Sequence, residues 1–322
     1  MLCRQLLSIA VAAGAVVALS GSASAQLGEQ PVKIVFPFAA GGIGDALTRM
    51  MGEKLSTAIG KPVIVENRAG GAGRPGVQAV KSAAADGRTI LMTPIAPMSV
   101  YPHYYKKLGY DTVADFEPLS QIATFEFAVA IAGRVPAKTL KELVAWVKAN
   151  PKEGNFGSPA VGTLPFLLGL KFAKIAGVDI RHVSYRGSAA ALQDLVSGQL
   201  PMEFTSTGDF VAQHKAGKIR VLATSEKQMF LPDVPTFREA GYDLTGNGWY
   251  AMYAPAKTSP AILEQYSKAL AAAVKDLTVA KRIVSWGMQP TGTTRAELAG
   301  IQKKDLELWG PIVKDSGFVP KQ

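Results

Sequence analysis

A strand that runs directly into a glycine-containing loop and then into a helix, met twice in one chain, limits the fold more than any other feature of this sequence. Val32-Lys33-Ile34-Val35-Phe36 has the apolar density of a buried strand. It continues through Pro37-Phe38-Ala39-Ala40-Gly41-Gly42-Ile43-Gly44 into a helical pattern with Leu47, Met50, Met51, Leu55 and Ile59, and Gly60 supplies a C-terminal stop. The second instance is Asn155-Phe156-Gly157, then a loop over 158–163, then a helix with Pro165 in its first turn and Leu168, Phe172 and Ile175 on one face. Around them the chain alternates. Strands are expected at 62–66, 89–92, 122–132, 180–185, 200–205 and 219–224, and helices at 77–85, 189–196 and after the capping box Thr139-x-x-Glu142. Beyond Gly246, the apolar stretch 249–255 precedes three helices whose starts are marked by Ser259-Pro260, Thr278 and the capping box Thr294-x-x-Glu297. Such alternation predicts an α/β protein with mainly parallel sheets flanked by helices.

The chain has 322 residues, enough for two domains. A hydrophobic share of 48% with 19% charged residues excludes a disordered chain. One cysteine, Cys3, excludes a disulfide framework, and His103, His182 and His214 are too scattered for a zinc finger. Residues 1–25 join a basic Arg4, an apolar run over 6–19 and a small-residue tail ending Ala23-Ser24-Ala25, the pattern of a cleavable secretory signal peptide. The apolar run is too short to span a bilayer, and a periplasmic location is therefore expected. The formal charge of +10 suits a nucleic acid, an anionic surface or a small anion. Its basic residues are dispersed, without a dense run or an aromatic stripe, which disfavours nucleic acid.

Gly71-x-Gly73-x-x-Gly76 matches a dinucleotide fingerprint only formally. Asn67 and Arg68 separate it from its strand, Asp86 comes too early, and Pro75 removes an amide from the turn. Phosphate-binding P-loop, nucleophile-elbow and His-Glu-x-x-His patterns are absent, so no cofactor or metal is expected. The two glycine loops carry more chemistry. Main-chain amides at a helix start lack intrahelical partners, and the helix dipole adds partial positive charge, so a carboxylate can be held there without a basic side chain.

Several motifs in one order resemble the Bug family of periplasmic solute receptors, the binding components of tripartite tricarboxylate transporters. They are Pro37-Phe38-Ala39-Ala40-Gly41-Gly42-x-x-Asp45, Val65-Glu66-Asn67-Arg68-x-Gly70-x-x-Gly73, Ala85-Asp86-Gly87-Arg88-Thr89, Tyr110-Asp111-x-x-x-Asp115-Phe116, Gly157-Ser158-x-x-Gly162-Thr163 and Leu231-Pro232-Asp233-Val234-Pro235-Thr236. The resemblance implies a two-domain periplasmic binding-protein fold, type II-like, with the ligand between domains. Domain 1 would comprise 26–122 and 246–322, and domain 2 would comprise 123–245. It also implies a non-catalytic receptor, sufficient as a monomer, that hands an organic carboxylate to membrane permease subunits. By the same likeness one wall of the cleft is Phe38, Ala39, Ala40, Gly41 and Gly42 with Asp45. The other is Ser158, Val161, Gly162 and Thr163, with Tyr185, Arg186 and Gly187 and with Phe204, Thr205 and Ser206.

This chain departs from the family pattern at several places. Ile43-Gly44 stands where small hydroxyl residues are common, Pro165 where many relatives have histidine, and Thr205 where many have aspartate. Losing that aspartate disfavours an amino-acid ligand. Phe125-Glu126-Phe127 falls near the crossing between domains, where the phenylalanines could flank an aromatic ring and Glu126 would oppose a second carboxylate unless paired. Ligands from terephthalate to citrate, malate and adipate stay open. So do two other uses: presenting ligand to a membrane sensor kinase, and an exported esterase built on Ser158.

Overall fold

The structure, a computed structural model, describes residues 30–315; the expected signal peptide and Cys3 lie outside them. In chain order the elements are β1 (Val32–Phe36), α1 (Ile43–Ile59), β2 (Val63–Asn67), α2 (Arg74–Lys81), β3 (Thr89–Pro94), α3 (Tyr101–Tyr104), β4 (Phe116–Ala132), α4 (Leu140–Ala149), β5 (Asn155–Ser158), α5 (Leu164–Ala176), β6 (Arg181–Ser184) and α6 (Ser188–Ser197). There follow β7 (Met202–Ser206), α7 (Thr207–Lys215), β8 (Ile219–Thr224), β9 (Asn247–Pro255), α8 (Pro260–Lys275), α9 (Leu277–Ser285), β10 (Met288–Pro290) and α10 (Arg295–Asp315).

Local chemistry sets the element ends. In α1, Leu47, Met51 and Leu55 recur every fourth residue and are fully buried, and Gly60, at φ 67°, returns its amide to the Ser56 carbonyl. Thr139 accepts from the Glu142 amide at 3.2 Å to start α4. The helix expected to start at Thr278 is instead capped by Asp276, whose carboxylate accepts from the Thr278 and Val279 amides at 3.0 Å. Asp one position before the helix outcompetes Thr because it offers a charged acceptor to the same orphan amides.

The strands form two half-sheets joined by β4. In the first half the order is β2-β1-β3-β9-β4, with β10 also on β4; in the second, β7, β5 and β6 extend from one edge of β4 and β8 lies on its other. Residues 116–126 of β4 pair with β9, whereas 127–132 pair with β7 and β8, so this 17-residue strand passes from one half to the other at Glu126-Phe127. The chain returns opposite that point, where Asn247 faces Glu126. Pairing is parallel within β2-β1-β3 and β7-β5-β6 but antiparallel at every pair involving β4 or β9. The sheets are therefore mixed rather than mainly parallel. A strand leaving one half and a strand re-entering it must run in opposite directions, and here they are neighbours.

Candidate functional site

Four helices begin around one cavity between the halves. It is lined by Gly42 and Gly44 at the start of α1, Thr163, Leu164 and Pro165 at α5, Gly187 and Ser188 at α6, and Ser206 and Asp209 at α7. Each start brings the positive end of a helix dipole to the cavity wall. Among the described residues no Lys, Arg or His side chain lines it. The remaining wall is aromatic. Phe38, Phe36, Tyr250, Phe125 and Phe127 form a continuous chain of rings with successive centroid separations of 5.9, 6.5, 4.7 and 5.4 Å. The cavity measures about 60 Å³, where one water needs ~10–15 Å³. That is the scale of a compact small molecule rather than a nucleotide.

The two walls touch. The Ala39 amide donates to the Arg186 carbonyl at 3.0 Å, and the Ile43 amide donates to Asp209 Oδ1 at 3.0 Å. Glycine permits this approach. A Cβ on Gly187, whose φ is 144°, would lie 3.3 Å from the Ala39 nitrogen, and one on Gly42 would lie 2.6 Å from Ser188 Oγ. Gly44 is equally constrained, because a Cβ there would stand 2.6 Å from the Phe36 ring and 2.8 Å from the Tyr250 hydroxyl.

Of the first-wall residues expected from the sequence, Phe38, Ala39 and Gly42 line the cavity. Ala40 and Gly41 lie on an outer edge of the cleft beside α6 and α7. Asp45 points behind the loop, bonding the Gly41 amide, Asn67 Nδ2 and Arg49. Burial would raise its carboxyl, but the bonds from Asn67, Arg49 and Gly41 outweigh this and hold it below the ordinary range. Asp45 therefore braces the loop. Behind it, the near-fingerprint loop packs on Pro37, where a Cβ on Gly76 would come within 2.9 Å.

In the second half, Thr163, Gly187, Thr205 and Ser206 line the cavity. Val161, Tyr185 and Arg186 face an adjoining side pocket with Gly70–Gly73, and Tyr185 donates to Asp194 at 2.8 Å. Gly162, at φ 81°, packs its backbone against Tyr104 and Tyr101. Phe204 is wholly buried among Phe156, Phe172 and Phe237, because side chains alternate along β7 and Thr205 takes the opposite face.

Ser158 is fully buried, with its Oγ 2.7 Å from His182 Nε2. No histidine is close to Ser158 in sequence, and parallel pairing of β5 with β6 brings this one beside it. The pair is not a catalytic dyad. His182 packs between Phe156 and Phe166, burial holds its pKa down to about 4, no carboxylate orients the ring among the described residues, and neither side chain lines the cavity.

The hydroxyls of Thr163, Thr205 and Ser206, all on the expected second wall, have their protons engaged within the protein. Thr163 donates to the Ala160 carbonyl at 2.7 Å, while Thr205 and Ser206 donate to Asp209 at 3.2 and 2.5 Å. Asp209, in the first turn of α7, is one cavity residue that sequence reasoning missed. Burial pushes its carboxyl up against the opposing bonds from Ser206, the Ile43 amide, Ser188 and Thr205. Tyr250, on β9, is the other residue that sequence reasoning missed. Its ring lines the cavity and its hydroxyl makes no hydrogen bond among the described residues; burial and the Asp209 charge push that phenol up. At the crossing, Phe125 and Phe127 line the cavity, while Glu126 faces away and accepts from Ser225 at 3.1 Å. Burial pushes its pKa up to about 7.

Residues 47–318 match the family model described as the tripartite tricarboxylate transporter family receptor, TctC. The periplasmic binding protein BugD is 29% identical with a TM-score of 0.86, covering 91% of this chain and 99% of its own. The R. palustris protein Rpa4515, solved with adipate, is 26% identical with a TM-score of 0.87, covering 92% of this chain and 100% of its own. MatC from Rhodopseudomonas palustris, solved with bound malate, is 26% identical with a TM-score of 0.83, covering 88% and 98%. The chain thus belongs to the TctC family of periplasmic solute receptors, with the α/β fold of BugD and the role of a binding protein rather than an enzyme.

Proposed function

We propose that this protein is an extracytoplasmic receptor that holds an organic carboxylate between its two halves and delivers it to the membrane subunits of a tripartite transporter. The observation that carries this is the convergence of four helix starts on one cavity, a cation-free way to hold an anion. Malate and adipate in two relatives are of the same chemical class. The moving units are the two halves, expected from the sequence as 26–122 with 246–322 and as 123–245, and the hinge is the stretch of β4 between that boundary and its crossing at Glu126-Phe127. The bonds Ala39 to Arg186 and Ile43 to Asp209 would then be contacts of the closed form, the form a transporter recognises. Residues 1–25 are the export signal, and the exported chain works in the periplasm as a monomer.

The test is a thermal-shift screen of the purified receptor against mono-, di- and tricarboxylates, with amino acids and nucleotides as controls. A ligand at 100 times its Kd adds about 2.7 kcal/mol, a clear rise in Tm. Stabilisation by one carboxylate class supports the receptor role. A shift with nucleotides alone, or with none of the acids, refutes it.

A further inference from the structure

The cavity joins an aromatic wall to a buried carboxylate. Five aromatic rings wall it, and Phe125 and Tyr250, 4.7 Å apart at 31°, present a broad apolar surface. Such rings contribute most when they pack against another ring by offset stacking or edge contact. The same cavity is lined by a carboxylate, Asp209. It already takes the Ile43 amide at the start of α1, so that donor is not open to a ligand carboxylate. Four helix starts at roughly half a positive charge each exceed that one negative charge by about one. Nothing else lining the cavity is charged.

Resting on the receptor role proposed above, we infer that the site selects an aromatic monocarboxylate, its ring against Phe125 and Tyr250 and its single carboxylate at the helix starts, and that Asp209 rejects a second carboxylate. The Tyr250 hydroxyl, beside Gly44, supplies the side-chain donor to that carboxylate in place of the engaged threonine and serine hydroxyls. Asp209 and Tyr250 are thus specificity residues.

Isothermal titration of the purified receptor with benzoate, phenylacetate, hexanoate, terephthalate, adipate and malate tests this. Benzoate or phenylacetate should bind at least tenfold more tightly than hexanoate, which lacks the ring, and than terephthalate, which adds a carboxylate. Asp209→Asn should narrow the terephthalate-to-benzoate affinity ratio at least tenfold, a gain that a misfolded variant does not produce. Tightest binding of adipate, malate or terephthalate, or a ratio unmoved by Asp209→Asn, overturns the inference while leaving the receptor role intact. Binding of no acid at all overturns both.

Discussion

The two glycine loops that enter α1 and α5 look alike along the chain, yet they stand differently in the molecule. The first, 37–44, is braced from behind by Asp45 and presents backbone to the cavity, close enough to the opposite half to bond it through Ala39 and Ile43. The second, 158–163, turns its hydroxyls inward, Ser158 to His182 and Thr163 to the Ala160 carbonyl, and shows the cavity mainly the apolar start of α5. One motif therefore serves two ends. A glycine-bearing helix start supplies anion-holding amides only where the surrounding side chains leave them facing the cleft.

That contrast can be broken most forcefully at Gly42. In Gly42→Leu the new Cβ would press on Ser188 across the cleft. Ligand affinity should fall at least 100-fold, equivalent to about 2.7 kcal/mol, while the urea midpoint without ligand changes little. Unaltered affinity by calorimetry would remove the first loop from the site. Ser158→Ala probes the other loop. Leaving His182 Nε2 without its partner should cost about 1–3 kcal/mol of stability by urea denaturation, with ligand affinity kept within twofold. A binding loss as deep as that of Gly42→Leu would make the two loops equivalent after all.

A third change sharpens the comparison between halves. Asp45 in the first half has three partners, but Glu203 on β7 is wholly buried and both its carboxyl oxygens lack one among the described residues. Burial, with the Asp209 charge nearby, pushes its carboxyl well above 4.5. Between the unfolded and folded values the native state keeps a proton that the unfolded chain has released. Stability therefore falls as pH rises through that window, by at most about 1.4 kcal/mol per pH unit. Glu203→Gln should match the parent near pH 4.5 and exceed it in Tm at pH 8. Parallel pH profiles of the two proteins would show that Glu203 is paired in solution.

The alternation of strands and helices, the capping boxes at Thr139 and Thr294 and the stop at Gly60 were legible because each depends on neighbours a few residues away. That Phe38, Ala39 and Gly42 line the cavity was legible from the first loop for the same reason. Phe204 misled because a strand's facing depends on register, and a shift of one residue exchanges the core face for the cleft face. Asp209 and Tyr250 come from α7 and β9 and meet only because β4 joins the halves.

Sequence alone thus determined the α/β alternation, the glycine loops and the family, since backbone preference and hydrophobic period are local properties written residue by residue. Tertiary structure decided which partners the Ser158 and Thr205 hydroxyls meet, and that five rings and one carboxylate share a cavity. Those outcomes depend on distances between segments that are far apart along the chain, and only the packed sheets set those distances.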